Sequence, residues 1–173
     1  DEIDLDKKII AIKQIDIETP VFGLYDYTGK KPGITIPGAV KTKITSPGQL
    51  QWNPDGWQLS VAEISLKDGT FINEKETERA AYTDHFDGQH IRFSAINGKL
   101  SNILFAQDTL STKVDLATRE KSGFEVKQMV AAMKMTPEVM EFKNLDIITD
   151  KSRIGNYYAM RYENFNADMS NFL

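Results

Sequence analysis

The sequence predicts a mainly β chain: an antiparallel meander forming a curled, twisted sheet, groove-like or sandwich-like, with few short helices. The main observation is a spacing. Apolar residues recur at i, i+2, i+5 and i+7 in Ile10, Ile12, Ile15, Ile17 and in Leu59, Val61, Ile64, Leu66. The same spacing returns in Phe124, Val126, Met129, Ala131 and in Met140, Phe142, Leu145, Ile147. Alternation marks a half-buried strand, and one inserted residue that keeps the pattern going marks a β-bulge or a bend. A helix would need an apolar residue at i+4, which these segments lack. The second observation is the series of strand-like runs over 109–119, 123–135, 138–149 and 153–163. Short turns separate them at Glu120-Lys121-Ser122-Gly123, Thr136-Pro137-Glu138 and Thr149-Asp150-Lys151-Ser152, and strands joined so tightly pair antiparallel.

Composition bounds the rest. The 173 residues suffice for one medium domain with its own core, and 40% apolar with 27% charged residues is ordinary for a globular chain. The whole of 1–173 therefore reads as a single β-rich segment. A net charge of −4 gives no reason to expect nucleic acid or an anionic membrane surface as partner. Without cysteine there are no disulfides and no thiolate metal sites. No apolar run is long enough to span a bilayer as a helix, and the opening DEIDLDKK is too acidic for a signal peptide. Both ends read as cut from a longer protein: the chain enters on a strand pattern and stops just after an apolar turn.

Taken in order, Ile3 to Tyr27 carries the first apolar pattern, broken at Pro20, which confines that point to an edge, a strand start or a bulge. Residues 28–58 hold four of the six prolines, in Lys31-Pro32-Gly33, Pro37-Gly38, Pro47-Gly48 and Asn53-Pro54-Asp55-Gly56. This is a Pro/Gly-rich excursion from the sheet or a row of very short edge strands. Trp57 to Asn73 resumes the module, with Asp68-Gly69 as a hairpin turn or bulge. Glu74 to Asp87 is a charged connection with a helical turn expected around Thr77 to Ala81. Gln89 to Ala106 is a strand with Ile91, Phe93 and Ile96, interrupted at Asn97-Gly98. A short helix or irregular cap is expected over 165–173.

Side chains that carry chemistry are sparse. His85 and His90, beside Asp84 and Asp87, match no metal-ligand spacing and read as solvated loop histidines. Asn53-Pro54-Asp55-Gly56 lacks the later ligands of a calcium loop and reads as a turn. No nucleophile elbow, phosphate loop or dinucleotide fingerprint is present, so no cofactor, no metal and no enzymatic role are expected. Tyr157, Tyr158, Tyr162 and Phe165 read as cross-strand packing, or as a platform for sugar rings. The methionines at 129, 133, 135 and 140 fall in one hairpin, and methionine adapts to irregular apolar partners. The apolar strand faces suit either a closed sandwich core or an open groove with room for an acyl chain.

Thr118 to Leu173 resembles a known family. Lys121-Ser122-Gly123-Phe124 opening a strand, Thr136-Pro137 at a turn, Glu141-Phe142-Lys143-Asn144-Leu145 and the run Ser152 to Tyr162 are similar to a stretch of large AsmA-like proteins of Bacteroidetes-type bacteria, the translocation and assembly module TamB family. Ile64-Ser65-Leu66-Lys67-Asp68-Gly69-Thr70-Phe71 shares the pattern more loosely, whereas 28–58 does not match. The resemblance implies an inner-membrane-anchored protein that extends through the periplasm. It also implies a β-sheet groove for lipid transport and a role in outer membrane biogenesis, with phospholipid acyl chains as partners. Other parts of such a full-length chain would meet an outer-membrane β-barrel protein. On this expectation the lipid-facing residues are Ile10, Ile12, Ile15, Ile17, Leu59, Val61, Ile64, Leu66, Ile91, Phe93, Met140, Phe142, Leu145 and Ile147. The rival expectation is a surface β-domain that binds glycan or protein.

Overall fold

The computed structural model describes residues 1–26, 51–76 and 85–162. Nine strands run as β1 (Glu2–Asp4), β2 (Ile9–Glu18), β3 (Val21–Asp26), β4 (Gln58–Lys75), β5 (His90–Ala106), β6 (Thr109–Glu120), β7 (Glu125–Met135), β8 (Val139–Thr149) and β9 (Arg153–Arg161). They form one sheet in the order β1-β2-β4-β5-β6-β7-β8-β9, with β3 also paired to β4. Strands take up 74% of the described residues and no helix is among them, which makes the chain mainly β. The helical turn expected at 77–81 and the cap at 165–173 lie outside the described residues, as do residues 28–50 of the Pro/Gly-rich segment.

From β4 to β9 the sheet is the expected antiparallel meander. The N-terminal part departs from it, because β2 and β3 both pair parallel to β4. Ile9 lies opposite Gln58 and Val21 opposite Thr70, the same offset, so β2 and β3 act as one strand interrupted at Thr19-Pro20. Proline has no N–H to give a ladder, and the break is repaired locally. Thr19 N donates to Lys67 O at 2.7 Å and Pro20 O accepts from Thr70 N at 2.8 Å. The expectation of a purely antiparallel sheet is thus corrected: parallel neighbours need a long return connection, and the chain between β3 and β4 supplies one.

Expected breaks turn out to be bulges inside long strands. Asp68, φ 52°, is the inserted residue in β4, and Ala95, φ 49°, sits in the shift between Ser94 and Asn97 of β5. Asn97-Gly98 does not interrupt β5. Gly98 is required there by close approach, since a Cβ would run into the Asp115 carbonyl oxygen and the Leu116 Cα of β6.

The turns are held by side chains that cap backbone groups. Thr136 and Thr149 play the same part in two successive hairpins. Thr136 N donates to Val139 O at 2.8 Å and Thr149 N to Ser152 O at 2.9 Å, while each threonine Oγ1 accepts from the N–H three residues on, at 3.2 and 2.8 Å. Asn53 is buried, its amide bonded both ways to the Trp57 backbone, and Asp108 Oδ1 accepts from the N–H groups of Trp52 and Asn53. The last residues of the Pro/Gly-rich segment are therefore tied to the β5–β6 turn.

Candidate functional site: the apolar face

β6 is the ruler for the face. Neither of its neighbours forces an extra residue into it, so Leu110, Thr112, Val114, Leu116, Thr118 and Glu120 alternate onto one side of the sheet. Directly paired residues share a face, so the register carries that side across the molecule. Leu110 is level with Phe105, Leu59 and Ile10 in one direction and with Met135, Met140 and Met160 in the other. Val114 is level with Leu100, Ile64 and Ile15, and with Ala131. Leu116 continues through Gly98 to Leu66 and Ile17, and through Met129 to Ile147 and Ile154.

The inserted residues keep these rows in phase. Between Phe142 and Leu145 the spare residue is Asn144, at φ 52°, where the β8–β9 register shifts. Left-handed backbone suits asparagine better than other non-glycine residues. On β2, β4 and β5 the extra residues are Lys13, Ala62 and Asn102, all at one level. Ile12, Val61 and Ile103 pair just before them, and Gln14, Glu63 and Ser101 just after. Three neighbouring strands bulge together without losing register, and the shift falls only at β6, which has no extra residue there.

All the residues singled out as lipid-facing sit on this side. Ile12, level with Val61 and Ile103, continues the Ile10 face, and Phe142 lies opposite Met133 and Tyr158, with its ring 6.2 Å from that of Tyr158. Phe93 is level with Phe71 and with Glu120, and Phe71 stacks on Phe22 at 5.9 Å. Ile91 lies opposite Asn73. Burial along the face is uneven. Val61, Ile103, Val114, Ala131 and Leu145 are buried along its centre, whereas Ile10, Leu59, Met140 and Phe142 are half-buried.

No described strand packs across this face as a second layer. Each strand touches only its neighbours in the sheet, and the sheet is not closed into a barrel. That is the geometry of a single-layer sheet with one apolar side. Of the two arrangements expected, the described strands make no sandwich.

One end of the face is polar. Glu120, 0% exposed, receives Arg92 N at 3.1 Å and Ser122 N at 2.7 Å on its two carboxylate oxygens. Burial pushes its pKa up, but hydrogen bonds from Ser122, Arg92 and Lys121 outweigh this and hold it below the ordinary value of 4.5. His90, 2% exposed, is the strand neighbour of Ile91 and so alternates onto the opposite side of the sheet, where its Nδ1 lies 2.9 Å from Glu74 Oε2. The reading of both histidines as solvated is corrected: His85 is exposed and His90 is a buried hydrogen-bonding group. No group of residues among those described could hold a metal ion.

The tyrosines divide. Tyr162 is buried, while Tyr157 and Tyr158 are exposed on β9, so cross-strand packing describes only part of the run, and Phe165 lies outside the described residues. Tyr157 Oη donates to Glu141 Oε1 at 2.8 Å, which raises the phenol and lowers the carboxyl from their usual values. No described helix is long and apolar enough to cross a membrane. Comparison with protein-family models, curated proteins and solved structures finds no match to this chain.

Proposed function

We propose that this chain is a non-enzymatic segment of a periplasm-spanning, AsmA/TamB-like scaffold whose open apolar face accepts phospholipid acyl chains. In that setting it serves lipid transport or outer-membrane protein assembly, inner-membrane anchored through other parts of the full-length protein. The observation that carries the reading is the continuous set of apolar rows from β2 to β9, with no strand among the described residues packed over it. Exposed apolar area costs about 25 cal/mol per Å², so such a face is stabilised by whatever apolar partner lies along it. The likeness of Thr118 to Leu173 to the AsmA-like proteins supports the same reading. The four methionines of the β7–β8 hairpin, at 129, 133, 135 and 140, add a surface that adapts to chains of varied shape.

A photo-crosslinking residue at Phe142 in the intact protein is expected to capture phospholipid in cells, whereas one at Lys143, on the opposite side, is not. Equal capture at both positions, or none at either, would remove the lipid reading.

The exposure of Tyr157 and Tyr158 on an edge strand favours a second reading, a surface β-domain that binds glycan or protein through β9. Loss of partner binding in Tyr157→Ala, with lipid capture at Phe142 absent, would select it.

A further inference from the structure

The described sheet has two open edges, and their chemistry is complementary. On one side β1 covers β2 only over Ile9–Ala11, and Asp1 Oδ1 caps Lys13 N at 2.8 Å. Among the described residues no strand lies on the outer side of Gln14 to Glu18, and the charged residues of that edge, Asp16 and Glu18, are both acidic. On the other side β9 pairs, among the described strands, with β8 alone, and residues 151–162 carry Lys151, Arg153 and Arg161 with no acid. The backbone parity of β9 follows from its ends. Tyr162 N donates to Glu138 O and Ser152 O accepts from Thr149 N, so even-numbered residues turn toward β8. The odd-numbered ones, Arg153 through Arg161, aim their N–H and C=O groups outward. An unpaired row of this kind is a template for a further strand.

We infer that β9 of one copy pairs with the Gln14–Glu18 edge of β2 in a second copy, head to tail. Counting directions across the sheet, β9 runs antiparallel to β2, so the join is an antiparallel ladder of the same kind as within the meander. The register follows from the apolar rows. Ile17 begins the row that Ile154 ends, and setting Ile154 against Ile17 of the next copy continues that row across the junction. Alternation then brings Arg153 opposite Glu18 on the polar side, both with side chains 70% exposed. The rival two-fold arrangement, β9 against β9, sets Arg153 opposite Arg161 at both ends when the strands overlap fully, and like charges directly opposite are unfavourable. A head-to-tail contact leaves one edge of each copy free for the next and so builds rings or open chains. The apolar face then runs on from copy to copy, and the pairing does not depend on what that face binds.

The chain has no cysteine, which makes the test direct. Glu18→Cys and Arg153→Cys proteins are prepared separately, mixed without lipid and oxidised. The mixture is expected to give at least about ten-fold more disulfide-linked dimer than either protein alone, matching cysteines placed opposite one another in paired strands. A protein carrying both substitutions should give a ladder of higher oligomers. No excess in the mixture, or Tyr157→Cys coupling to itself as fast as the mixed pair couples, would overturn the head-to-tail arrangement. The Phe142 capture experiment reads a different property, so failure of one leaves the other standing.

Discussion

The two sides of β4 teach different things about the same sheet. On one side β5 to β9 follow each other by short turns, so chain order dictates neighbour order and every pairing is antiparallel. On the other side β2 and β3 lie parallel to β4, joined to it through residues 27–57. Both sides use the same apolar spacing and the same device, an inserted residue that preserves the face. Spacing sets which side of the sheet a residue occupies. Connection length sets the direction of its strand.

Substitutions at matched positions sharpen this comparison. The largest effect is expected in the meander at Gly98, where a Cβ meets β6 backbone. Gly98→Ala should destabilise by about 3 kcal/mol or more, at the upper end of overpacking costs, as read by chemical denaturation. A normal, cooperative Gly98→Ala protein would show that β5 and β6 are not so closely apposed. Next comes the buried row. Val61→Ala, on the strand that joins the two sides, should cost about 2 kcal/mol for the two methyl groups removed. Ile10→Val on half-buried β2 should cost under about 1 kcal/mol, and equal costs would mean that the face is uniformly covered.

The inserted residues give a smaller contrast. Thr19, at φ 51°, is β-branched and left-handed, whereas Asn144, at φ 52°, is of a type that tolerates this backbone. Thr19→Gly is expected to stabilise by about 1 kcal/mol and Asn144→Gly by only a few tenths. The reverse order in melting measurements would contradict the bulge assignments. Acid behaviour adds one more test. Because the fold lowers the Glu120 pKa, that carboxylate contributes stability above its unfolded value near 4.5, and the contribution is lost as pH falls through the folded value. Stability of the natural protein should therefore drop between pH 5 and lower pH more steeply than that of Glu120→Gln. Parallel pH curves would show that Glu120 is not held as described. The exposed Arg153–Asp146 pair, at 2.7 and 2.8 Å, should matter least, because water and salt screen it.

Much of the meander was legible in the sequence because alternation, proline and short turns are local signals. The expected runs 123–135 and 138–149 correspond to β7 and β8 within two residues. The jump from Phe142 to Leu145 located the inserted Asn144. Parallel pairing was not legible, since nothing in Ile10 to Ile17 specifies its partner's direction. Asn97-Gly98 resembles a turn locally, and only tertiary contact with Asp115 and Leu116 keeps it extended within a strand. Burial of His90 and Glu120 was equally hidden. Both satisfy hydrogen bonds with residues distant in sequence, Glu74 and Arg92, and a polar residue in an apolar alternation reads as exposed until its partners are known. For the apolar face, the sequence indicated which residues share a side, but not whether a second layer covers them.

That last question has a direct measurement. In this cysteine-free chain, Phe142→Cys and Lys143→Cys place single thiols on the two sides of β8. A small maleimide is expected to label both at rates within about ten-fold of each other, because neither requires the sheet to open. Labelling at position 142 slower by about a thousand-fold, on the timescale of global unfolding, would mean that the face is a closed core and would contradict the open single-layer sheet.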